Sequence, residues 1–168
     1  MFEIYTLSGE LLNSFGEIIV DQASQGIALD GLVINDDGRN GLIYGGRNVG
    51  ILAGYALDGE KRFTVQTIGG FPLPTIIITD GRKRKIKPNS PTAVLSMNLV
   101  GDRLYALSGA GDPAAGVASG QIMDVYDRRD GVYRFSFALP IRCREAYVRF
   151  DRVYTLGQGG VTMWRFQS

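Results

Sequence analysis

An all-β fold of antiparallel hairpins is what this chain predicts, and three observations carry the prediction. Glycine supplies 23 of 168 residues, about twice the usual share of roughly 7%. The apolar segments are short and rich in Val, Ile, Tyr and Phe, the composition of strands. Asp-Gly or Asn-Gly pairs stand at Asp30-Gly31, Asp37-Gly38, Asn40-Gly41, Asp58-Gly59, Asp80-Gly81 and Asp130-Gly131, and such pairs close tight hairpins because they tolerate positive φ. No window keeps an apolar stripe at helical spacing. Residues 7–20 come nearest, and Gly9 and Gly16 interrupt them.

Internal similarity sets the strands in order. Asp102-Arg103-Leu104-Tyr105-Ala106-Leu107 matches Asp151-Arg152-Val153-Tyr154-Thr155-Leu156 at an offset of 49 residues, with Gly41-Leu42-Ile43-Tyr44 a weaker copy. A second pattern joins an aromatic strand, a turn glycine and another aromatic strand. It appears as Tyr5, Gly9 and Phe15, as Tyr55, Gly59 and Phe63, and as Tyr126, Gly131 and Phe135. Tyr5 and Tyr55 are 50 residues apart; Tyr55 and Tyr126 are 71 apart, which places an insertion of about 21 residues in segment 71–91. A repeat of about 50 residues made of strands is long enough for four of them joined by hairpins, which is one blade of a β-propeller.

The prediction is therefore a single partial β-propeller over residues 1–168, with about three blades of four-stranded antiparallel sheet, half of a six-bladed ring. Residues 2–16 give the outer two strands of a first blade. Residues 26–70 give a full blade, with strands near 28–34, 42–45, 51–56 and 62–67. Residues 92–140 give another, near 93–99, 104–108, 122–126 and 133–138. Residues 145–168 give the inner strands of a last blade, near 146–150, 153–156 and 162–166. Thirteen strands result. Tyr44, Tyr55, Tyr105, Tyr126, Tyr154 and Trp164 recur at matched positions, as packing between blades requires.

The run 123–140, which opens Met123-Asp124-Val125-Tyr126-Asp127 and closes Phe135-Ser136-Phe137-Ala138-Leu139-Pro140, resembles a recurrent blade of bacterial six-bladed propellers of the NHL/TolB-like type. Val161-Thr162-Met163-Trp164-Arg165-Phe166 is similar to the last strand of that family. The resemblance implies the fold and leaves the activity open. Six blades need roughly 250–300 residues, so this chain resembles the C-terminal half of such a ring. An open arc exposes the faces of its end blades. Two copies would close the ring, with residues 4–15 of one and 146–166 of the other sharing a blade, so a homodimer is expected. The alternative is a piece of a longer propeller.

The residue inventory narrows the chemistry. There is no histidine, which excludes Ser-His-Asp and Cys-His nucleophile systems and histidine zinc sites. Cys143 is the sole cysteine, so no intrachain disulfide forms, and it is expected buried as a small apolar residue. Lys plus Arg is 18 and Asp plus Glu is 17, a net charge of +1, which supplies no general field toward nucleic acid or an anionic membrane. Residues 1–16 hold Glu3 and Glu10 with no basic start before an apolar run, so no signal peptide is expected; the compartment stays open.

Candidate binding residues are cationic. Arg82, Lys83, Arg84, Lys85 and Lys87 pack five cations into six residues of the insertion, and loops on rigid scaffolds are where binding residues concentrate. They form either a patch for an anionic ligand or acidic partner, or a solvated hairpin whose charges guard an edge. Arg142 and Arg144, with Arg149, lie close to an inner strand and could face a channel. Asn35, Asp36, Asp37 and Asn40 are the densest oxygen cluster but lack calcium-loop spacing, and the glycine-rich run 109–116 lacks a phosphate-loop lysine. Neither is assigned a ligand.

No nucleophile-base pair, metal cage or cofactor motif stands out, so the expected function is a non-catalytic scaffold binding a protein or small ligand. The alternative is an enzyme resembling the propeller lactonases, hydrolases or lyases. It would hold a calcium ion in the channel through Glu145 or Asp151 beside Asn98.

Overall fold

The computed structural model describes residues 2–16, 28–79, 83–87, 90–109 and 119–165. Fifteen strands run through them: β1 (Phe2–Tyr5), β2 (Leu11–Phe15), β3 (Gly31–Asp36), β4 (Gly41–Gly46), β5 (Ile51–Ala56), β6 (Lys61–Gln66), β7 (Ile76–Thr79), β8 (Lys83–Ile86), β9 (Val94–Val100), β10 (Arg103–Ser108), β11 (Gly120–Asp127), β12 (Tyr133–Cys143), β13 (Glu145–Arg149), β14 (Arg152–Gly157) and β15 (Gly160–Arg165). A 3-10 turn, Asp37–Arg39, joins β3 to β4. The fold is all-β, as the composition indicates, and each of the thirteen predicted strands has its counterpart.

Every sheet is an antiparallel meander in sequence order: β1-β2, β3-β4-β5-β6, β7-β8, β9-β10-β11-β12 and β13-β14-β15. The two four-stranded sheets are blade-like. The 49-residue repeat falls on equivalent strands, since Arg103 opens β10 opposite Val100 and Arg152 opens β14 opposite Arg149. The pair β7-β8 is additional to the thirteen and forms a hairpin within the insertion.

Alternation along each strand buries side chains on both faces of the central sheets. Leu104, Ala106 and Tyr126 point into one core with Ile43, Leu52 and Phe63 of the preceding sheet. Tyr105, Leu107, Met123 and Val125 point the other way, onto Ala146, Val148 and Val153. A smaller core sets Phe2 and Phe15 of the first hairpin against Tyr44 and Tyr55. Tyr44, Tyr55, Tyr105 and Tyr126 thus pack between sheets as expected, and Cys143 is buried.

The Phe63 ring is accommodated by two glycines, Gly54 across from it in the same sheet and Gly131 of the neighbouring one. A Cβ on Gly54 would lie 2.4 Å from Phe63 Cε1, and one on Gly131, at φ +72°, would lie 2.6 Å from Phe63 Cδ2. The Phe63 ring fills the space that both leave.

Candidate functional site

The first strands of consecutive sheets stand side by side, and two side chains join β9 to β13. Ser96 Oγ donates to the Ala146 carbonyl (3.1 Å) and accepts from the Ala146 N–H (3.0 Å). Two residues on, Asn98 Nδ2 donates to the Val148 carbonyl (2.8 Å) and Oδ1 accepts from the Val148 N–H (3.1 Å). Both sit on one face of β9, as period-2 alternation dictates. The preceding sheet is linked to β9 by backbone: Ala93, just before β9, donates its N–H to the carbonyl of Arg47 in the β4–β5 turn at 2.7 Å.

Carboxylates clip the outer parts together. Asp36, fully buried, accepts from Arg62 of β6 at 3.2 Å and from Arg128 of the β11–β12 turn. Arg128 also donates to the Gly101 carbonyl at 3.1 Å. Asp127 accepts from Arg129 and Arg134 at 3.1 and 2.6 Å, and hydrogen bonds from the Arg129 side chain and backbone, then from Arg134, hold its carboxyl well below the usual range. Asp124 differs. Its side chain is buried on β11, where burial pushes the carboxyl up and the Ser136 hydroxyl, which donates to it, only partly offsets this. Burial likewise pushes Tyr126 up to about 12.

The predicted cations lie on two parts of the chain. Arg82 lies outside the described residues; Lys83 and Lys85 belong to β8, as does Arg84, and Lys85 and Lys87 are exposed. Arg142, Arg144 and Arg149 are exposed around β12 and β13. Of the run 109–116, only Gly109 is described.

The residues proposed for a channel calcium are committed elsewhere. Asn98 spends its amide on Val148, and Asp151 pairs with Arg165 at 3.2 Å and with Arg152 at 3.7 Å. Glu145 and Asp151 lie at opposite ends of β13. In the oxygen cluster, Asn35 donates to Asp37, and Asp36 serves its two arginines. No group of three metal-ligating side chains comes together among the described residues, and none of their helices is long and apolar enough to cross a membrane.

One feature escaped sequence reasoning. A groove of about 690 Å³ opens between β12 and the last sheet, lined by Arg103, Phe135, Phe137, Phe150, Trp164 and Arg165. Its size is that of a ligand cleft. The last sheet has three strands where β3–β6 and β9–β12 each form a sheet of four, and beside it the first part of β12, Tyr133–Ser136, is left exposed. The Arg103 guanidinium sits 5.5 Å over the Phe135 ring, and Trp164 Nε1 donates to Thr155 Oγ1 at 3.1 Å.

No protein-family model matches the chain, and no curated protein matches it as a relative.

Proposed function

We propose that this chain is a non-catalytic β-propeller scaffold of the NHL/TolB-like type, three blades of a six-bladed ring that closes as a homodimer and binds a protein or an anionic ligand. The observation that carries the reading is the alignment of β3, β9 and β13. Successive meanders place their first strands side by side, β3 against β9 and β9 against β13, the second pair tied by Ser96 and Asn98, while the later strands of each sheet lead away from that line. This is how blades are arranged around a central axis. The exposed arginines 142, 144 and 149 near that line supply the cationic character of the binding surface.

The calcium-bearing hydrolase or lyase has less support, because Asn98 is occupied as a strut and Asp151 as an arginine partner. The test is solution mass by light scattering on a sizing column. A ring of two copies has about 37 kDa, twice the 18.3 kDa chain; a monodisperse 18.3 kDa species overturns the homodimer.

A further inference from the structure

We infer that the groove beside β15 is the docking slot for the β1–β2 hairpin of a second copy, so that two chains join head to tail. The inference rests on the ring reading above and names the contact that closes it.

The hairpin and the last sheet both offer open edges. The last sheet has three strands, and its β15 edge is unpaired among the described strands; β1-β2 likewise pairs with no third strand among them. An unpaired edge is a template for another strand. The hairpin added at β15 makes a five-stranded blade and covers Phe135, which is 41% exposed.

The ends are also complementary in surface. The outer face of the last sheet exposes Tyr147, Val161 (73%) and Met163, and Val33 on β3 is 53% exposed beside the hairpin. Tyr5, Leu11 and Leu12 of the hairpin are more than half exposed. Seating the last sheet of one copy between the hairpin and the exposed Val33 of the other covers all of them. Charge agrees: residues 2–16 carry Glu3 and Glu10 and no cation, while residues 142–165 carry five arginines against Glu145 and Asp151, a net of +3.

Phe150 supplies the sharpest sign. In the repeat it occupies the position of Gly101, whose φ is +58°, and it adopts φ +54° itself. A left-handed backbone costs an aromatic residue what glycine avoids. The side chain is also 78% exposed at the groove's rim, under the Arg149 guanidinium. Within the single chain the ring is covered only by that guanidinium contact; a partner seated in the groove would bury it.

A head-to-tail contact is heterologous, and when two copies close the ring it yields a discrete dimer rather than a filament. It therefore permits a mixing test. Leu12→Lys places a cation on the hairpin against the arginine-rich tail, and Phe150→Asp places an acid at the groove against the acidic hairpin. Both positions are exposed, and circular dichroism checks that each variant keeps its strands. The parent should run near 37 kDa and each variant alone near 18.3 kDa. An equimolar mixture should recover the dimer, since one of its two contacts joins an unaltered hairpin to an unaltered groove. Phe150→Gly should relieve backbone strain yet weaken association about tenfold, as loss of a buried aromatic anchor does. A dimeric parent whose variants stay dimeric alone, or stay monomeric when mixed, overturns this docking mode and leaves the ring standing. A monomeric parent overturns both.

Discussion

The Asn98 amide holds two backbone groups that a regular sheet would have paired within a ladder. Removing it leaves the Val148 N–H and carbonyl, both buried, without partners. Asn98→Ala should cost about 2–3 kcal/mol in urea denaturation, the penalty of unsatisfied buried polar groups; a loss below about 0.5 kcal/mol would mean that water or a shifted strand takes over. Asp124 gives a prediction in pH. Its carboxyl is raised above the usual range by burial, so the folded state holds the proton more tightly than the unfolded one. Its contribution is then fully present below the unfolded value and lost as pH rises through the folded value. Asp124→Asn should be more stable than the parent at pH 7, with the gap closing below about pH 4. A gap independent of pH would show that packing, not charge, sets the difference. These residue roles were poorly legible in the sequence. Asn98 and Val148 lie 50 positions apart, and Asp36 meets Arg62 and Arg128 across 26 and 92. No local pattern reports such pairs, so Asp36 looked like part of an oxygen cluster instead of an arginine acceptor.

Elements were far more legible. Asp37-Gly38, Asn40-Gly41, Asp58-Gly59 and Asp130-Gly131 sit between paired strands, whereas Asp30-Gly31 leads into β3 instead of closing a hairpin and Asp80-Gly81 lies outside the described residues; the aromatic repeats fix the order because equivalent strands meet equivalent neighbours. The β7-β8 pair bears out the solvated-hairpin reading of the cationic segment, although it was not among the thirteen strands. Lys83–Ile86 is nearly all cation, and a charged run carries no period-2 apolar signal; it pairs because Ile76–Thr79 lies across from it. That hairpin is hydrogen-bonded to itself, with Lys87 N–H closing on the Thr75 carbonyl at 2.8 Å, and no other sheet includes it. Replacing residues 76–86 with a six-residue Gly/Ser linker, while keeping Phe71 in its core, should leave stability within about 1 kcal/mol, since surface loop length costs little. A larger loss in thermal melts would assign the hairpin a packing role.

At the scale of the whole molecule, the repeats in the sequence pointed to blade-like sheets, and the three-stranded last sheet presents an edge strand beside an open groove. The groove itself was hidden, since its walls come from β10, β12 and β15, which no contiguous segment combines. One signal was available: Phe150 stands where the repeat places Gly101. Charge is also distributed at this scale. The net of +1 conceals an acidic first hairpin and a basic last sheet, so the global count says little about how the ends meet.

Because every sheet is made of consecutive strands, each can complete as the chain leaves the ribosome, without waiting for residues still to be added. The second sheet closes once Gln66 has emerged, the β7-β8 pair once Ile86 has, and the second four-stranded sheet once Cys143 has. The last sheet follows once Arg165 has emerged. In the proposed homodimer, by contrast, the blade shared by two chains would form last and as a bimolecular event, set by the number of chains in the cell rather than by each chain's own folding.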